Sequence, residues 1–271
     1  MYLRAMFCNK LRHIVWIAAA VLLGGCAYQK EYNTVNKQGT VEEKYDFAVR
    51  AYNKQDYKKS VALFEELLPL FRGKDALEGL LYNLAYSYFY DKDYFMAAYY
   101  FRTLSRQFPE GEHTEEVTYM SAYCKTLESP DYELDQTATY EAIKQLQLYI
   151  NYYPNGRHTD QAGQLIVEMR AKLATKAFHM AGMYFRRNLY NAAAISYNNF
   201  LKDYPESPDR EQAMFLLLKS RYLYAKNSLR NLQSDRFRKV LDTYDLFLRT
   251  YANSRYREEA DKFVNEARKR I

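Results

Sequence analysis

The chain has 271 residues, with 39 Lys or Arg against 33 Asp or Glu, a formal charge of +6 and three cysteines. So even a charge balance excludes a nucleic-acid partner, and so few cysteines exclude a disulfide framework. Only nine glycines and six prolines accompany 29 tyrosines, which points to long helices joined by short turns.

At the N-terminus, Arg4, Lys10 and Arg12 precede an unbroken apolar run from Ile14 to Leu23. A bilayer core needs about 20 residues. The run is therefore too short to span and fits the apolar core of a secretory signal peptide. Leu23-Gly24-Gly25-Cys26 then resembles the lipobox of bacterial lipoproteins. That resemblance implies a signal peptide over residues 1–25 and Cys26 as the lipidated first mature residue, held by several acyl chains. In such lipoproteins an aspartate after the cysteine often marks inner-membrane retention. Ala27 stands there instead, implying the outer membrane with the body in the periplasm. Residues 26–40, polar and including Gly39, are expected to form a flexible tether, and residues 41–271 the folded body. With Cys8 removed and Cys26 lipidated, Cys124 is left as a buried apolar residue on a helix.

The body is built on a repeat. Five segments align: "DYKKSVALFEELLPLF", "DYFMAAYYFRTLSRQFP", "ATYEAIKQLQLYINYYP", "LYNAAAISYNNFLKDYP" and "RFRKVLDTYDLFLRTY". One column is small (Ser60, Ala97, Ala142, Ala193, Val240) and the column four residues on is large (Phe64, Phe101, Leu146, Tyr197, Tyr244). A closing aromatic follows at Phe71, Phe108, Tyr153, Tyr204 and Tyr251, with Pro109, Pro154 and Pro205 after three of them. Offsets of three and four place these columns on one helix face. Upstream, Ala48, Ala85, Ala122 and Ala181 supply the small residue of a partner helix. The pattern resembles the tetratricopeptide repeat, with longer units than the ~34 residues of its standard form. The fold expected is all-α, a solenoid of about five helical hairpins. "TVEE" from Thr40 reads as a capping box, Ser207 as an N-cap with Pro208 opening the helix, and Glu128–Gln136 and Asn227–Asp235 as polar loops. Arg255–Ile271 reads as an amphipathic cap for the last unit.

No zinc, phosphate or nucleophile motif occurs, so no catalytic residue, metal, cofactor or small-molecule substrate is expected. His113, His158 and His179 read as surface or cap residues, and the pairs Glu65-Glu66, Glu115-Glu116 and Glu258-Glu259 as solvated faces. Charge is uneven: residues 219–271 hold 14 basic against 7 acidic residues, and residues 27–218 hold 22 against 26. A basic C-terminal fifth suits an acidic docking partner. Arg236, Arg238, Lys239, Arg255 and Arg257 are the candidates.

A lipobox followed by five elongated units with the closures "QFPEGEHTEEV", "YYPNGRHTDQA" and "DYPESPDREQA" resembles the BamD family, lipoproteins of the outer-membrane β-barrel assembly machinery. The resemblance implies a periplasmic scaffold that contacts the periplasmic domains of the barrel subunit and helps recognise and insert unfolded outer-membrane proteins. The tyrosine content departs from that family. The alternative is a tetratricopeptide-repeat lipoprotein scaffold for cell division or peptidoglycan coordination. In the repeat register, the groove-facing positions of the first helices give Tyr45 and Tyr52, then Tyr82, Tyr86, Phe89 and Tyr90, then Tyr119 and Tyr123, and finally Phe178, Phe185 and Arg186. These are the candidates for holding an extended peptide by aromatic contact.

Overall fold

The computed structural model describes residues 26–271, so the expected signal peptide lies outside the described residues. Those residues are helical with no strand among them. After α1 (26–38) come α2 (Val41–Asn53), α3 (Tyr57–Phe71), α4 (Leu77–Tyr90), α5 (Tyr94–Gln107) and α6 (Thr114–Leu127). Then follow α7 (Thr137–Tyr152), α8 (Thr159–Arg186), α9 (Tyr190–Asp203), α10 (Arg210–Lys226), α11 (Arg230–Thr250) and α12 (Arg257–Arg268). The chain divides into two compact units, the first ending at Glu128 and the second running Ser129–Ile271.

Tetratricopeptide-like hairpins α2–α3 and α4–α5 lie in the first unit with α1 and α6, and α8–α9 and α10–α11 recur in the second. The repeat columns explain them. Ser60, Ala97, Ala142, Ala193 and Val240 are fully buried, as are Phe64, Phe101 and Leu146 four residues on. Ala48, Ala85, Ala122 and Ala181 are buried on the first helices. The one polar member of the small column, Ser60, is satisfied by Ser87 at 3.0 Å. The third expected hairpin is divided, because α6 belongs to the first unit and α7 to the second. The intervening loop is tied to the second unit, where Lys172 donates to the Pro130 carbonyl at 3.0 Å and buried Gln136 to that of Asp131 at 2.8 Å.

Two turns recur. Within hairpins, Gln55, Lys92 and Asn188 adopt left-handed φ of 63°, 67° and 61°. The next residue's N–H returns to the carbonyl five residues earlier, as Asp93 does to Tyr88 at 3.0 Å. Between hairpins, Phe108, Tyr153, Tyr204 and Tyr251 end their helices at φ between −126° and −133° and ψ between 61° and 67°. After the first three, the proline disfavours a continued helix, and Tyr251, followed by Ala252, adopts nearly the same geometry. Three residues on, Gly111, Gly156, Ser207 and Ser254 each donate an N–H back to the aromatic carbonyl. The Thr114 and Thr159 hydroxyls donate to the same carbonyls at 2.6 Å, closing the turn.

The tyrosines follow from these hairpins. Rings fill space between helices while hydroxyls reach carboxylates on a neighbour: Tyr88 and Tyr100 donate to Glu65 at 2.5 and 3.3 Å, Tyr222 to Glu266, and Tyr244 to Asp261. A buried hydroxyl without a partner is costly, so ring and carboxylate act as a pair. Glu65 is therefore more than a solvated residue.

Several expectations are corrected. Residues 26–38 are a helix, not a flexible tether. Tyr28, Tyr32 and Val35 lie four and three residues apart and pack on the first unit, with Tyr28 stacked on Phe47 at 5.2 Å. Gly39 serves a tight corner, since a Cβ there would meet the Val35 carbonyl oxygen at 2.5 Å. The capping box at Thr40 and Glu43 forms as read. Helix α10 instead opens at Arg210, and Ser207 Oγ accepts only the Asp209 N–H at 3.3 Å. Asn227–Asp235 is helical from Arg230 because Gln233 donates to the Ser228 carbonyl at 2.9 Å and holds the start of the helix. Helix α12 packs Ala260, Val264 and Ala267 onto α10 and α11.

A left-handed lysine costs roughly 1 kcal/mol that glycine avoids. Lys92→Gly should raise the unfolding free energy by up to about 1 kcal/mol, read as a higher urea midpoint at unchanged slope, and Lys92→Val should lower both. A less stable glycine variant contradicts the turn assignment. Burial first and Glu65 second push the Tyr100 hydroxyl up to about 12, and burial does the same for Tyr197. Folded and unfolded chains both hold these protons below the ordinary value of 10.0; above it the unfolded chain releases them first. Stability should therefore be untouched by them below about pH 10 and fall between about 10 and 12. Absorbance at 295 nm should show two classes of tyrosine, the later one released with unfolding. A single class near 10 contradicts the buried pairs.

Candidate functional site

In the first unit, α4 carries Tyr82, Tyr86 and Tyr90 at four-residue spacing, hence on one face. Tyr82 and Tyr86 lie 4.7 Å apart, Tyr86 and Tyr90 stack at 5.9 Å, and Tyr90 meets Tyr57 at 5.1 Å and Tyr52 at 6.2 Å. At the other end His113 covers Tyr82 at 4.4 Å. Glu116 on α6 accepts the hydroxyls of both Tyr82, at 3.3 Å, and Tyr86. These interactions make one continuous aromatic band.

Burial grades the band. Tyr86 is 8% exposed and Tyr119 7%, whereas Tyr90 is 46% exposed. Tyr52, Tyr82 and Tyr123 are intermediate. Tyr86 and Tyr119 thus form the floor, and the face available to a ligand is the edge made by Tyr52, Tyr57 and Tyr90. Phe89 joins Tyr123 at 6.2 Å, and Tyr119 stacks on Tyr123 at 5.9 Å. Tyr45 is not in the band; it packs on Phe64 and Phe71 at 5.9 and 5.5 Å. Burial, followed by Tyr90, Tyr82 and Tyr57, pushes the Tyr52 hydroxyl up to about 12, so it is a donor throughout the neutral range.

In the second unit, Phe178 packs on Phe200 at 5.6 Å and Phe185 on Tyr190 at 5.6 Å, while Arg186 is exposed. The docking candidates separate. Arg238 is 3.3 Å from Asp235 and Arg257 3.9 Å from Asp261, while Arg255 lies over Tyr256. Arg236 and Lys239 instead line a cleft of about 380 Å³ between α9, α10 and α11, together with Arg221. Sequence reasoning missed Arg221. Its signal was a lone arginine inside the largely apolar run "MFLLLKSRYLYA" of α10.

His113 and His158 precede α6 and α8 at their N-cap positions, and exposed His179 stacks on Tyr132 at 5.1 Å. Among the described residues no group of three or more His, Cys, Asp or Glu is placed to hold a metal, and no helix is long and apolar enough to cross a membrane. Cys26 is exposed and Cys124 buried. Both surfaces offer contact chemistry, aromatic in one unit and cationic in the other.

Known proteins are similar to this chain in sequence. Residues 37–239 match the family model YfiO, described as an outer membrane lipoprotein. Among similar curated proteins, the putative outer membrane protein assembly factor BamD of Aquifex aeolicus is 26% identical over 253 residues, covering 93% of this chain and 74% of its own. The outer membrane protein assembly factor BamD of Neisseria meningitidis serogroup B is 25% identical over 246 residues, covering 85% and 90%. That of Pasteurella multocida is 23% identical over 235 residues, covering 83% and 88%. With the family model spanning well over half of its length, this chain belongs to the YfiO family of outer membrane lipoproteins, to which the BamD resemblance pointed.

Proposed function

We propose that the chain is a non-enzymatic scaffold of the outer-membrane β-barrel assembly machinery, lipid-anchored through Cys26 with its body in the periplasm. It docks the barrel subunit through that subunit's periplasmic domains and helps recognise and insert unfolded outer-membrane proteins. The observation that carries this reading is the partly exposed tyrosine edge on a helical-hairpin body, in a chain of this family. Rings backed by a packed floor present π faces and hydroxyls at fixed positions. Such a surface suits an extended peptide with aromatic side chains and free backbone groups. The basic residues of the second unit supply the docking side of the role. Helix α1, stacked on Phe47 through Tyr28, joins the anchor to the body stiffly and keeps the body near the membrane.

Cys26→Ala should leave an unprocessed or mislocalised chain that takes up no radiolabelled palmitate; label entering the variant contradicts the anchor. For the groove, Tyr52→Ala with Tyr90→Ala should weaken binding of a C-terminal peptide from an outer-membrane barrel. Aromatic pairs contribute about 0.5–1.5 kcal/mol each, so losing two rings should weaken binding from roughly fivefold to about a hundredfold at unchanged helicity. Tyr86→Phe, which keeps the floor ring but not its bond to Glu116, should bind the peptide as the parent does. Unchanged affinity in the folded double variant contradicts the edge as the peptide site.

A further inference from the structure

The cleft between α9, α10 and α11 concentrates unpaired positive charge. Arg221 reaches from α10 to α11, where a guanidinium N–H donates to Thr243 Oγ1. Burial pulls its guanidinium below the usual arginine range, with Asp242 acting in the opposite sense. Arg236 lies 4.1 Å over the ring of Tyr224 and donates to Ser228 Oγ. Lys239 is exposed at the cleft, and the side chains of Asn191 and Asn198 face it from α9. Among the described residues no carboxylate lies within ion-pair distance of Arg221, Arg236 or Lys239, although Arg238 next door is paired with Asp235. A half-buried guanidinium held by a single hydroxyl has lost hydration without gaining an anion.

A second hollow, of about 400 Å³, adjoins the first and shares Asn191 and Tyr224 with it. Leu189, Tyr190 and Ala192 wall it; Leu189 is 50% exposed, and Ile195 of the first hollow 55%. We infer that the paired hollows receive an acidic-apolar peptide segment of a partner protein, with an Asp or Glu carboxylate among Arg221, Arg236 and Lys239 and a neighbouring apolar side chain against Tyr224 and Leu189. Two guanidinium forks match the planar carboxylate, and the adjacency of the hollows matches a spacing of one or two residues, about 3.3–3.6 Å each. The asparagine amides supply a donor and an acceptor that match the C=O and N–H of a peptide unit. The inference rests on the reading of the chain as a docking scaffold and names the chemistry of the segment it takes.

The test uses the full chain in neutral detergent and the amidated peptide Gly-Ser-Leu-Glu-Phe-Ser-Gly carrying an uncharged dye, whose only carboxylate is the Glu side chain. Lys239→Glu is the main variant because Lys239 is exposed and outside the core; Arg236→Gln is the second. Replacing the peptide's Glu by Gln should weaken binding about tenfold, as should Lys239→Glu, with both effects shrinking between 0.05 and 0.5 M salt. Replacing its Leu and Phe by Ser should weaken it as well. Equal binding of the Glu and Gln peptides, or indifference to Lys239→Glu and Arg236→Gln at unchanged melting, overturns the inference. So does binding to phosphatidylglycerol vesicles through these cations with none to the peptide. Peptide binding that persists in a chain unable to support barrel assembly overturns the assembly role alone. Assembly that survives Lys239→Glu with the peptide lost supports the cleft as a peptide site and overturns its part in barrel assembly.

Discussion

How closely two antiparallel helices approach is set here by a small residue on each, and the rest of the structure depends on that approach. Ala85 and Ala97, both fully buried, bring α4 against α5, and the same pairing recurs at Ala181 and Ala193. With backbones that near, the large residues one turn on have a fixed volume to fill, and Phe101 and Tyr197 fill it. A hairpin of this kind buries only one side of each helix, so a neighbouring hairpin must cover the other. The aromatic caps set where that neighbour begins. Their four near-identical conformations show that the turn between hairpins is encoded as strictly as the hairpins themselves.

Much of the fold was legible in the sequence because the small and large columns recur at helical spacing. The capping box at Thr40 was also readable. The left-handed hairpin turns were not, because Gln55, Lys92 and Asn188 occupy positions where glycine is the usual sign. The helix over residues 26–38 was hidden among polar residues, its apolar face reduced to Tyr28, Tyr32 and Val35. Division of the chain after Glu128 was invisible because repeat spacing reports each hairpin and not what its loop is tied to.

Of the candidate site, which rings share a face was legible in the sequence, and how each is buried was not. The repeat register brings Tyr82, Tyr86 and Tyr90 onto one face, yet it does not say that Tyr86 is floor and Tyr90 edge, since that depends on Glu116 and Phe101 from other helices. Basic residues counted along the chain look equivalent. In the structure, nearby carboxylates occupy Arg238 and Arg257 and leave Arg236 and Lys239 without one, and the arginine that completes their cleft stands on a different helix. Tyrosine is what joins the fold to the function proposed. Paired with a carboxylate it can be packed as core, and at an edge the same side chain offers a face and a hydroxyl to a peptide.

The most direct measurement is purification of the tagged, lipid-anchored chain from detergent-solubilised outer membranes, with its stoichiometric partner identified by mass spectrometry. The account predicts an outer-membrane β-barrel bearing periplasmic domains, recovered near one to one with the chain. Recovery of cell-division or peptidoglycan proteins in that place, with no barrel present, would contradict it.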